Sequence, residues 1–176
     1  MIPAITALEA GWCTFQVADG LYGLDVARVH EVLRPQPLTR VPLAPASVVG
    51  LLNLRGQIVP AVDLRTLFGL ARFDSPGGLV VVRSPEGLVA LVVDVIGDVR
   101  RPEGALPPVD HGDGDPFRSC TVPLPDRLLT VLDVDRLLEL AFDRAGREPL
   151  ARSRPVVRRL PGDCPCIGPF VRASWA

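Results

Sequence analysis

The chain has 176 residues, 48 % of them hydrophobic, with a mean hydropathy of +0.29, which is enough apolar material for one domain or two small lobes. Its formal net charge is −1, but residues 1–143 carry 12 Arg against 18 acids and residues 144–176 carry 7 Arg against 2 acids, so an acidic body precedes a basic tail. An acidic body repels phosphate and an aromatic content of 5 % offers no stacking platform, which argues against nucleic-acid binding; no apolar run approaches the ~20 residues that span a bilayer, and no basic segment leads an apolar one at the N-terminus, so membrane insertion and a secretory leader are not expected and a cytoplasmic location is.

With so few aromatics the core has to be Val, Leu and Ile, which favours β-structure, and 19 Pro with 16 Gly signal many turns and few long helices. Residues 1–11 show no period and read as a frayed lead-in. Trp12–Ala18 alternates as a strand, Asp19-Gly20 signals a hairpin turn, and Leu21–Leu24 returns as its partner. Asp25 reads as an N-cap for Val26–Leu33, a helical or irregular turn with Val26, Val29, Val32 and Leu33 on one face, stopped by Pro35 and Pro37. Leu38–Val41 reads as a short strand and Pro42–Ser47 as a loop. Val48–Leu54 and Ile58–Val62 are two dense apolar strands separated by a short polar turn, with Gly56 where a tight turn needs positive φ. Pro60 cannot donate to a ladder, so the second of these strands is expected at an edge or with a bulge. Asp63 then caps a helix over Leu64–Leu70.

Ala71–Gly78 reads as a connector between lobes, Leu79–Arg83 as a strand, Ser84–Gly87 as a turn, and Leu88–Val95 as an apolar strand covered on both faces. Ile96–Arg101 continues as strand or turn, and 102–116 is an acidic loop. Asp110, Asp113 and Asp115 in that loop lack the late bidentate glutamate of a calcium hand, so a plain loop is the better reading. Phe117–Pro123 and Leu128–Leu132 are the last strands, and Asp133 or Asp135 caps a helix over Arg136–Asp143 with Leu137, Leu138 and Ala141 facing inward. The tail, 144–176, is rich in Pro and Arg and reads as disordered; contact with nucleic acid, with anionic lipid, or with the acidic body are all open to it.

Catalysis finds little support. Cys13 and Cys120 sit in apolar surroundings with no base to activate them, Cys164-Pro-Cys166 has neither zinc nor redox spacing, and His30 and His111 fall in separate segments. No nucleophile elbow and no phosphate-cradling loop occurs. No cofactor or metal is therefore expected. His30 and Glu31 taken alone are solvated surface groups, and Arg55 taken alone is a solvated turn arginine.

The two halves echo each other. Gly20-Leu21-Tyr22-Gly23-Leu24 aligns with Gly87-Leu88-Val89-Ala90-Leu91, and Asp63-Leu64-Arg65-Thr66-Leu67 aligns with Asp133-Val134-Asp135-Arg136-Leu137. The expected fold is mainly β: two small lobes of about five strands each, roughly 11–72 and 78–143, closed against exposed edges, with short helices and a C-terminal helix. Strand pattern alone leaves exchange of strands between the lobes open.

Gly50-Leu51-Leu52-Asn53-Leu54-Arg55-Gly56-Gln57-Ile58-Val59-Pro60-Ala61-Val62-Asp63-Leu64-Arg65 closely resembles the central signature of the CheW-type chemotaxis coupling proteins, and the resemblance extends over about residues 11–143. It implies two packed β-barrels of SH3-like form and a non-catalytic adaptor that couples a CheA-type histidine kinase to the cytoplasmic tip of methyl-accepting chemoreceptors at arrays under the inner membrane face. It also implies a receptor groove lined by Val29, Glu31, Gly50, Asn53, Arg55 and Gly56, with Val29 and Glu31 flanking Arg55, and a kinase contact near Val95, Ile96 and Val99. The same fold in a non-chemotactic kinase pathway, or an unrelated β-barrel module binding peptide or RNA, are the alternatives.

Overall fold

The computed structural model describes residues 11–72, 77–101, 116–125 and 127–143. The lead-in, the three aspartates and His111 of the acidic loop, and the tail with its two cysteines lie outside the described residues. The described elements are β1 Trp12–Val17, β2 Gly20–Asp25, a 3-10 turn at Val26–Arg28, β3 Val29–Leu33, β4 Val48–Leu54, β5 Gln57–Asp63, α1 Leu64–Leu67, β6 Gly78–Ser84, β7 Gly87–Val93, β8 Val95–Arg100, β9 Arg118–Pro123, β10 Leu128–Leu132 and α2 Val134–Asp143.

The fold is mainly β, with two five-stranded sheets ordered β8-β1-β2-β10-β9 and β3-β6-β7-β5-β4. Neither sheet is contiguous in the chain. β1 and β2 join β8–β10, while β3–β5 join β6 and β7, so strands are exchanged and a boundary at 72–78 does not separate the sheets. Advancing every strand by five converts one order into the other, which is the structural form of the echo between the halves. The correspondence reaches single hydrogen bonds: Asp63 N–H donates to the Ser47 carbonyl at 2.8 Å, and seventy residues on Asp133 N–H donates to the Phe117 carbonyl at 2.8 Å.

Each sheet buries both faces. Phe15, Val17 and Leu24 of the first sheet meet Val80, Val82, Leu91 and Val93 of the second in a shared core closed by Leu64 and Leu67 of α1 and Leu137 and Ala141 of α2. The alternate residues Leu79, Val81 and Ala90 turn the other way and pack with Leu52 and Val59. Trp12, Val122, Leu129 and Val131 do the same behind the first sheet. β6 and β7 are therefore apolar at consecutive positions, the pattern of strands covered on both sides.

Several local expectations are corrected. Val26–Leu33 is helical only at Val26–Arg28; Val29–Leu33 is a strand on β6, because pairing of β-branched residues against β6 outweighs a marginal four-residue apolar spacing. A bulge between Val29 and Glu31 mimics that spacing. Leu38–Val41 contributes one bridge, Thr39 to Leu51, rather than a strand. The first hairpin turns on Ala18-Asp19, one residue earlier than read, with Ala18 at φ 51°. The first helix stops at Leu67, since Gly69 at φ 72° directs Leu70 N–H back to the Arg65 carbonyl at 2.8 Å and closes the end. The capping readings hold: Asp63 accepts from Arg65 N–H at 3.0 Å, and of the two alternatives for the last helix it is Asp133 that caps, accepting from Asp135 and Arg136 N–H at 3.0 and 3.2 Å.

β5 is an inner strand rather than an edge. Its proline is tolerated because Leu51, opposite Pro60, spends its own N–H and carbonyl on Thr39, so the Pro60 nitrogen faces β7. There the β5–β7 ladder covers only Ala61–Asp63 against Ala90–Val92.

Candidate interaction site

The β4–β5 hairpin turns on two residues, Arg55 at φ 52° and Gly56 at φ 90°, while Leu54 pairs with Gln57. Positive φ at both positions is the turn whose twist matches paired strands. Glycine adopts it without cost; at Arg55 the conformation is strained and holds the side chain out at the tip. Asn53 secures the turn by accepting from Gly56 N–H at 2.8 Å. The Arg55 side chain remains 82 % exposed, yet its Nη2 donates to Glu31 Oε2 at 3.1 Å.

Glu31 is much less exposed. It pairs with Val81, on the face of the second sheet that carries Leu79, Leu52 and Val59. Its Oε1 is shut off from solvent and accepts no hydrogen bond among the described residues. The site is thus an ion pair whose anionic half is screened and whose cationic half projects. His30 is exposed on β3, with Nδ1 3.1 Å from Arg83 Nη2, a guanidinium nitrogen that can only donate.

Of the residues expected to line one groove, Glu31, Asn53, Arg55 and Gly56 are gathered at this tip, and two are not. Val29 pairs with Val82 and packs against the shared core, because the bulge sends it to the opposite face from Glu31; it does not flank Arg55. Gly50 is buried: a Cβ there would lie 2.7 Å from the Thr39 carbonyl oxygen, so its hydrogen serves the close approach of the 38–41 segment rather than a surface. The second expected contact falls on β8, an edge strand paired only to β1 among the described residues. Val95 and Val99 are exposed along it, whereas Ile96 lies opposite Phe15 and packs inward.

A second polar centre escaped the sequence reading. Asp94, between β7 and β8, accepts from Arg65 Nε at 2.7 and 2.9 Å and from Ala18 N–H at 2.6 Å, while Arg65 Nη1 donates to the Ala71 carbonyl at 3.1 Å. Burial pushes the Asp94 carboxyl up, but the hydrogen bonds from Arg65 and Ala18 and the guanidinium charge outweigh it and hold the pKa below the ordinary carboxylate value. The signal available was only an Asp at the end of an apolar strand, and its partners are 29 and 76 residues away. Burial raises the Cys13 and Cys120 thiols, which keeps them protonated and poor as nucleophiles. Among the described residues no group of His, Cys, Asp and Glu is placed to hold a metal, and no helix is long and apolar enough to cross a membrane.

These features define a two-sheet β scaffold that presents a charged hairpin tip and an apolar sheet edge. The chain belongs to the CheW-like domain family, whose model matches residues 12–142, a family of scaffold and coupling proteins. It is 32 % identical over 138 residues to the chemotaxis protein CheW of Treponema pallidum (strain Nichols), covering 70 % of this chain and 79 % of that one. It is 30 % identical over 144 residues to protein FrzA of Myxococcus xanthus, covering 78 % and 90 %. The crystal structure of scaffolding protein TtCheW from Thermoanaerobacter tengcongensis matches with a TM-score of 0.64 and 28 % identity over 74 % of this chain and 92 % of that one.

Proposed function

We propose that the protein is a non-catalytic adaptor that couples a CheA-type histidine kinase to the cytoplasmic tips of methyl-accepting chemoreceptors, working in the cytoplasm at receptor arrays beneath the membrane. The observation that carries the reading is the family match across 12–142, which takes in both sheets and α2 up to its penultimate residue. The hairpin tip suits the receptor side. A projecting arginine next to a screened carboxylate offers directional donors to a polar residue on a helical hairpin, with Glu31, Asn53 and Gly56 fixing its position. The exposed Val95 and Val99 on the β8 edge suit the kinase side, where a related β-domain could abut an edge strand. Two sites on one rigid body raise the local concentration of kinase at the receptor, and a receptor state that alters either contact alters kinase output.

The test is a pull-down of receptor cytoplasmic fragments and of the kinase by the Arg55→Ala variant. Receptor capture is expected to fall about tenfold, corresponding to ~1.4 kcal/mol at an interface anchor, while kinase capture and the thermal midpoint stay unchanged. Equal receptor capture by a folded variant refutes the tip as the receptor site; failure of the wild type to capture either partner refutes the adaptor reading.

A further inference from the structure

The duplication is broken at the parallel pair of the second sheet, and a cavity opens there. In the first sheet the parallel pair runs Leu129, Thr130 and Val131 against Leu21, Tyr22 and Gly23. In the second sheet the residue seventy positions before Thr130 is Pro60, which has no N–H, and the ladder to β7 starts only at Ala61. Gln57–Pro60 and Gly87–Val89 therefore do not pair with each other, and a cavity of about 470 Å³ lies between them and α2. Its walls are apolar, with Ile58 60 % exposed and Phe142 39 % exposed, together with Pro60 and Leu88. Its rim is acidic: Glu86 and Glu139 have no basic partner among the described residues, while Asp135 is paired with Arg28.

We infer that this groove is the docking site for the chain's own arginine-rich C-terminal segment. The segment begins two residues after Phe142, which lines the groove, so no long span has to be crossed. Its charge is opposite to that of the rim, with 7 Arg against 2 acids over 144–176. Within it, Arg152-Ser153-Arg154-Pro155-Val156-Val157-Arg158-Arg159-Leu160 interleaves guanidinium groups with aliphatic side chains, which matches an apolar trough between carboxylates. A tether of this kind supplies an effective concentration on the order of mM, so an intrinsic affinity of about 0.1 mM keeps the groove about tenfold more occupied than empty.

The test uses the full chain. Trypsin cleavage after Arg158 and Arg159 is expected to be about tenfold slower in the wild type than in the Glu86→Gln/Glu139→Gln variant, with the difference lost in high salt. In a second arm, Arg158→Ser/Arg159→Ser, which changes nothing in the packed body, is expected to move the backbone NMR resonances of Ile58, Leu88 and Phe142. Equal cleavage rates with unmoved groove resonances overturn the inference, as does protection that survives the rim substitutions. Protection that falls on dilution places the segment in the groove of a second copy and overturns docking within one chain. Should the rim variant unfold, the tail variant decides alone.

Discussion

At the scale of single residues, Gly50 and Arg55 show how one signature serves two ends. Both lie in the stretch whose sequence resembles the coupling proteins, but Arg55 projects from the turn and Gly50 is sealed beneath Thr39. Gly50→Val is expected to lower stability by ~1–3 kcal/mol, the cost of forcing carbon into occupied space, because the obstructing atom is a backbone oxygen that no side-chain rotation removes. A urea midpoint equal to the wild type would show that the 38–41 segment is free to move off β4. The resemblance points to residues without saying where each side chain lies, since motif spacing carries no information on burial. Glu31 and Arg55, expected on one groove, lie 3.1 Å apart, whereas Val29, two positions from Glu31, faces the other way because of a bulge whose apolar spacing imitates a helix.

At the scale of elements, the corner where β7 passes into β8 is tied to α1 and to the β1–β2 turn through Asp94. The Asp94 pKa is depressed in the folded state, so the unfolded chain takes up its proton first as pH falls. The stabilisation is fully present above the ordinary carboxylate pKa and is lost as pH drops through the lower folded value. Urea midpoints measured from pH 6 down to pH 2 should therefore decline more steeply in the wild type than in Asp94→Asn, which is less stable at pH 6 but loses less on acidification. Parallel slopes would remove Asp94 from the acid response. Turns, caps and the strands buried on both faces could be read from the chain because their causes are local: glycine at positive φ, an aspartate before a helix, unbroken Val and Leu runs. The Asp94 cluster could not, because its three members come from separate stretches and no local feature distinguishes them.

At the scale of the whole molecule, the two sheets share one core, and Phe15 lies fully buried within it between Tyr22 and the β8 strand. Phe15→Ala is expected to cost ~3–5 kcal/mol and to lower hydrogen-exchange protection equally in both sheets, because a shared core gives neither sheet a stability of its own. Loss confined to the first sheet would mean that the sheets open independently. The internal echo could be read from the sequence, but its consequence for strand order could not, since a repeat is equally compatible with self-contained lobes and with exchange. Two parallel pairings, β2 with β10 and β5 with β7, bring together strands from opposite halves of the chain. On the ribosome the β1–β2 hairpin therefore emerges long before the strand that will cover its open side: the second sheet has all its strands once β7 has emerged, but the first cannot be completed until β10 has left the exit tunnel. Nascent chains of this protein hold the β2 edge unpaired through much of synthesis, so their vulnerability to aggregation is set by the speed of translation rather than by the stability of the finished fold.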